Sequence, residues 1–137
     1  MVTTQSTTER FRTEVSNGRI SIDADPPQDK GGGGAGFGAH ELLEASFAAC
    51  MNMAVRMCAL EYGIALEDVQ TQVQLSRPTV DTVRFEYGLE LRGRLSTQQR
   101  ALLTAAAETC PVRQTLSKRL EFQSTARRAA APDGSAP

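Results

Sequence analysis

Three cysteines and a single histidine carry the widest chemical range in this 137-residue chain: Cys50, Cys58, Cys110 and His40. Cys50 and Cys58 lie in a run from Ala45 to Leu60 where nearly every position is Ala, Phe, Met, Val, Leu or Cys. A free cysteine in such a run packs as a small apolar residue, and that reading covers Cys58 between Met57 and Ala59. Composition gives Cys50 the same reading. Cys110 differs because Pro111 follows it. Proline is favoured at the first helical position, which places Cys110 at a helix N-cap. Unpaired amide N–H groups and the helix dipole there stabilise a thiolate, so Cys110 is expected to be the more acidic thiol. An acidic thiol serves as attacking nucleophile or as leaving group, so electrostatics leave the roles open. One histidine and scattered thiols are too few for a zinc site, and no metal is expected.

Those residues need elements to position them. Phe11, Thr13 and Val15 alternate with polar residues, as do Ile20 and Ile22, which predicts two strands joined by a two-residue turn at Asn17-Gly18. Asp25-Pro26-Pro27 ends the second strand, and Gly31 to Gly38 reads as a flexible connector. From about His40 to Tyr62 the pattern is helical and apolar almost all round, the mark of a helix buried by its neighbours. Gly63 is suited to stop it. His40 falls at the start of this helix with a solvated ring. Asn52 and Arg56, four apart, make either an exit stripe to solvent or a functional pair, since a charge must not be buried alone.

Beyond the helix, Val69 to Leu75 and Val83 to Leu91 alternate with polar residues and predict an antiparallel pair, broken at Arg77 to Asp81. Ser96 or Thr97 caps a helix running to about Thr109. Cys110-Pro111 opens a short one, and Leu120 to Ser124 is a candidate last strand. The order ββ–α–ββ–α–β predicts an α+β fold with antiparallel sheet and helices on it. The expected organisation is a disordered N-terminus over 1–8, one domain over 9–124 and a disordered tail over 125–137.

Fifteen Lys and Arg against sixteen Asp and Glu leave no basic excess, which disfavours nucleic acid as a partner. The polar start and an apolar run shorter than about 18 residues argue against a signal peptide or membrane span. A reducing cytoplasm is therefore the expected location, where a cysteine pair is more often redox-active than structural. Gly31, Gly33 and Gly36 satisfy G-x-G-x-x-G, but a Pro-Pro precedes them and no parallel βαβ unit follows, so no nucleotide cofactor is expected.

Two segments carry a family resemblance. His40-Glu-Leu-Leu-Glu-Ala-Ser-Phe-Ala-Ala-Cys50 resembles the cysteine helix of the OsmC/Ohr superfamily, the osmotically inducible and organic-hydroperoxide-resistance proteins. Glu108-Thr-Cys110-Pro-Val-Arg-Gln-Thr-Leu116 resembles its second signature, a Cys-Pro pair before a short helix. The resemblance covers roughly residues 9–124. It implies antiparallel sheets wrapped around a long central buried helix in an intertwined homodimer. It also implies a thiol peroxidase acting on organic hydroperoxides in oxidative-stress defence. Cys50 would be peroxidatic and Cys110 resolving, with no bound cofactor and with a small or lipoyl-type dithiol as external reductant.

Family peroxidases set an arginine, held by a glutamate, against the thiolate. In the organic-hydroperoxide branch that glutamate stands ten positions before the cysteine, where this chain has His40. Glu41 matches the spacing of the OsmC-like branch, with Ala39 in place of its proline. The arginine lies on the N-terminal hairpin in family members, which makes Arg19 the candidate, with Arg12 behind it. The alternative function is a non-peroxidase OsmC-like dimer that binds an apolar ligand or senses oxidation through the same cysteines.

Overall fold

The long helix α1 (Ala39–Glu61) organises the computed structural model, which describes residues 1–125. Its buried positions are Phe47, Met51, Val55 and Ala59, four apart on one stripe. Fully burying each of the larger three contributes about 1.5–3 kcal/mol. The stripe packs against strand β4 (Asp68–Thr79), helix α2 (Thr97–Glu108) and helix α3 (Pro111–Leu116). Leu103 and Ala107 of α2, Val69 of β4, Ile64 and Cys110 complete the core. Gly63, at a φ of +60°, ends α1 in the left-handed conformation its sequence suggested.

Burial on all sides is where α1 departs from expectation. Within one chain Met53, Met57 and Leu60 lie open, because β4, α2 and α3 cover only one side of the helix. By length and composition alone α1 would also suffice to cross a bilayer; here one face is core.

Three hydrogen bonds fix α1 along β4. Glu44 accepts from the Leu75 N–H at 2.6 Å, the Ala48 carbonyl accepts from the Thr71 hydroxyl at 2.9 Å, and Asn52 donates to the Val69 carbonyl at 2.9 Å. The helix positions are four apart and the strand runs the other way, so one helix face reads one strand edge. Asn52 is therefore a structural residue, and Arg56 is exposed.

β4 pairs antiparallel with β5 (Thr82–Arg92), the register running from Asp68↔Arg92 to Ser76↔Arg84. An irregularity between Ser76 and Thr79 carries the strand past Pro78, beyond the expected break. α2 begins at Ser96, whose hydroxyl accepts from the Gln99 N–H while Gln99 accepts from the Ser96 N–H. This capping box satisfies two otherwise orphaned donors. After α3 the segment expected as a last strand, Leu120 to Ser124, has no strand partner among the described residues. The tail from residue 126 lies outside the described residues.

A second sheet holds β1 (Thr3–Ser6), β2 (Thr13–Ser16) and β3 (Ser21–Ala24) in that order. Residues 1–8 are thus not wholly frayed: Thr3 pairs with Ser16 and Ser6 with Thr13. Thr3-Thr-Gln-Ser6 is polar on both faces, so it shows no alternation, yet threonine suits a strand. The hairpin turn is centred one residue later than expected. Asn17 N–H donates to the Ile20 carbonyl, the Asn17 side chain accepts from Arg19 and Ile20, and the positive φ falls on Gly18.

The glycine-rich segment is ordered rather than a flexible connector, because it wraps a buried carboxylate. Asp25 accepts from the N–H groups of Gly33 and Ala35 at 3.0 and 3.1 Å. A Cβ at Gly32 would stand 1.9 Å from the Pro26 carbonyl oxygen, so backbone approaches backbone where only glycine fits. Losing a buried acceptor leaves two donors unsatisfied, at about 1–3 kcal/mol. Asp25→Ala should lower the denaturation free energy by that amount and speed protease cleavage within 26–38. Unchanged cleavage would show that the carboxylate does not hold the loop.

Candidate active site

Cys50 and Cys110 arise from distant parts of the chain and meet at the start of α3. Cys50 sits on α1 one turn beyond Phe47, at the edge of the buried stripe, and is half-buried. Cys110 is the N-cap of α3, as its proline indicated, and is 1% exposed. The Val112 N–H, at the second helical position, donates to the Cys50 sulfur at 3.4 Å. The helix terminus expected to serve Cys110 alone thus also presents a donor to Cys50, where negative charge on sulfur would be met by an amide.

The stabilised thiolate expected of Cys110 from its N-cap position is overturned. Burial pushes its thiol up, and the neighbouring Cys50 raises it further. The N–H groups of Arg113 and Val112 act in the opposite direction and are outweighed. Desolvation wins because a six-residue helix offers few aligned amides, while the sulfur is almost wholly withdrawn from water. Cys58, two turns along α1 from Cys50, is half-buried against the core, with its thiol raised by burial and by Glu61.

The supporting residues named from sequence are not gathered around the thiols within one chain. Glu41 accepts from the Gly38 N–H at 2.7 Å and caps α1. His40 is exposed and takes a hydrogen bond from Arg77 on its Nε2. Arg19 is exposed on the β2–β3 turn. Arg12 is bound to Asp23 and, at 2.8 Å, to Glu9. That pairing holds the Asp23 carboxyl below its usual range and raises the guanidinium. Among the described residues no hydrogen bond or ion pair joins 1–37 to the chain from Ala39 onward.

Other residues close the space beside the thiols. Phe47 meets Phe85 and Tyr87 edge-on, with centroids 5.8 and 5.6 Å apart. Arg113 donates to the Tyr87 hydroxyl at 3.0 Å, its guanidinium 5.6 Å from the ring centre. A groove of about 640 Å³ opens between α1, the β4–β5 hairpin and α3. Phe47, Leu75, Val83 and Phe85 give it apolar walls, and neither Cys50 nor Cys110 lines it. Sequence reasoning assigned no role to Arg77, Tyr87 or Arg113. The available signal was the strand period, which puts Leu75, Arg77, Val83, Phe85 and Tyr87 on one hairpin face.

A helix carrying one thiol, a Cys-Pro helix start carrying a second, and flanking antiparallel sheets define a family of proteins. Residues 31–125 match the family model described as OsmC-like protein. The chain belongs to the OsmC-like protein family. Its fold is similar to an OsmC-like protein from Mycoplasma pneumoniae, at a TM-score of 0.71, 20% identity and 85% coverage of each chain. An organic hydroperoxide resistance protein OsmC from Legionella pneumophila matches at a TM-score of 0.62 and 25% identity, covering 85% of this chain and 88% of that one. The organic hydroperoxide resistance protein OhrB of Bacillus subtilis matches at 0.57 and 23%, covering 85% and 89%. No curated protein matches in sequence.

The raised Cys110 thiol has a measurable sign. Its contribution to stability is fully present below the ordinary thiol value of 9.0 and is lost as pH rises through the higher folded value. In Cys58→Ser protein, alkylation of Cys110 followed on its own peptide by mass spectrometry should therefore show a pH midpoint above 9.0. A midpoint at or below that value would mean that the amides, not burial, dominate.

Proposed function

We propose that the protein is a thiol peroxidase that reduces organic hydroperoxides. The observation that carries this reading is the convergence of Cys50 and Cys110 at one helix start, with an amide directed at the Cys50 sulfur. The Cys50 thiolate attacks the distal peroxide oxygen; the O–O bond breaks, an alcohol leaves after taking a proton, and sulfur becomes a sulfenic acid. The Cys110 thiol then attacks that sulfur, water leaves, and a disulfide forms. An external dithiol, small or lipoyl-type, is oxidised in its place and returns both thiols. The more accessible sulfur suits attack on substrate, and the buried one suits resolution.

The working unit in this reading is a homodimer. The open Met53, Met57 and Leu60 face of α1 and the N-terminal sheet, which among the described residues makes no hydrogen bond to the chain from Ala39 onward, are the surfaces a second copy would cover. Such an exchange is the route by which Arg19 would reach a thiol. A reducing cytoplasm remains the location that suits free thiols, and the charge balance gives no reason to expect nucleic acid.

Hydroperoxide loss with a lipoyl-type dithiol tests the chemistry. Wild type should turn over repeatedly, Cys50→Ser should fall to the uncatalysed rate, and Cys110→Ser should release one alcohol per chain and then stall. Wild type no faster than Cys50→Ser would end the proposal. Sedimentation tests the assembly: wild type should run at twice the chain mass of 14.8 kDa, and Met53→Glu, Met57→Glu protein at the chain mass. A wild-type monomer would remove the dimer.

A further inference from the structure

The groove beside α3 has a charge pattern that the thiol chemistry does not use. The chain has one more acidic than basic residue, yet among the described residues no Asp or Glu lines this concavity, while His40, Arg77 and Arg113 do. Neither Arg77 nor Arg113 has a carboxylate within ion-pair distance among the described residues. Arginine only donates, so in the Arg77 contact His40 is the acceptor, through Nε2. The imidazole therefore orients the guanidinium without neutralising it.

The cations lie at the two ends of an apolar channel. Tyr87, which takes the Arg113 hydrogen bond, is opposite Val73 in the hairpin register, and Arg77 stands four residues further along β4. At the rise of a strand the backbone positions of Val73 and Arg77 are about 13 Å apart. Leu75, Val83 and Phe85 form the floor between them, with Leu43 and Phe47 of α1 on one wall and Leu116 of α3 on the other. Arg77 is exposed at the open end, where a carboxylate keeps part of its hydration; Arg113 is half-buried beside Tyr87.

From this geometry we infer that the groove is a binding site for a long-chain monocarboxylate, with its head group on Arg77 beside His40 and its tail along the hairpin toward Phe47. The selecting element is the forked guanidinium at the mouth, which matches a carboxylate, while the apolar floor contributes affinity without choosing among head groups. The site stands independently of peroxidase chemistry, because neither thiol lines it.

Calorimetric titration of the full chain with decanoate, decanol and decyltrimethylammonium tests this. Decanoate should bind wild type about tenfold or more tightly than either of the others. Arg77→Gln should abolish that preference while leaving decanol affinity unchanged, and Arg77→Lys should restore part of it. Cys50→Ser should leave decanoate binding intact, which separates this site from the thiol site whatever the outcome of the turnover assay. Equal binding of decanoate and decanol to wild type would overturn the inference. So would loss of the preference in Arg113→Gln but not in Arg77→Gln. If decanoate fails to bind and Val83→Glu dissociates an oligomer, the groove is a contact between copies and the inference falls.

Discussion

The position of α1 along β4 is the constraint on which the site depends. Cys50 meets the Val112 amide only at one axial setting of the helix; a slide of one residue moves its sulfur by about 1.5 Å and turns it by about 100°. Apolar burial of Phe47, Met51, Val55 and Ala59 sets which face of the helix turns to the core, but a slide of about one whole turn would bring nearly the same face back to it. The hydrogen bonds of Glu44, Ala48 and Asn52 to the strand do select the setting. A neutral one contributes only about 0.5–1.5 kcal/mol and a carboxylate about 1.5–3, against a larger total for the buried stripe. Burial therefore holds the helix in the core, and the smaller polar terms decide where along the strand it stops.

The same helix setting explains why two thiols at one helix terminus differ. Cys110 belongs to the terminus and is drawn into the core with Leu103 and Ala107, so it loses water on every side. Cys50 approaches from outside the terminus and receives an N–H while part of its surface remains open. Desolvation and amide donation pull a thiol in opposite directions, and burial decides which prevails. A rule based on chain position alone assigned the acidity to Cys110 because position does not report burial.

Local pattern made most elements readable. The helical run of α1, the period-two runs of β4 and β5, the Ser96 cap and the Cys110-Pro111 start all appear in the sequence because each depends on neighbours within a few residues. β1 was hidden because Thr3 to Ser6 is polar on both faces. The glycine segment was misread because its order comes from Asp25, a residue several positions earlier whose burial no period announces. Convergence of Cys50 with Cys110 is a tertiary fact across sixty residues, and only the family resemblance anticipated the pair. The resemblance spans Arg77 and Arg113 but gave neither a role, so their place on the groove came from geometry.

What remains open on the surface follows from the size of the core. Among the described residues nine side chains, Cys110 included, make the buried core along one face of α1, while Ile20, Phe37, Met57 and Leu60 are each half or more exposed. Exposed single apolar residues are ordinary, but Met53, Met57 and Leu60 follow one another along a helix at the spacing of a contact stripe. A three-stranded sheet of four-residue strands, unbonded to the main body, has little apolar surface of its own to hold it folded. Both features are explained by the proposed dimer, in which each copy supplies what the other leaves uncovered. On that account the hairpin arm is polar toward water and keeps Ile20 and Ile22 exposed because their partner surface is on the second copy.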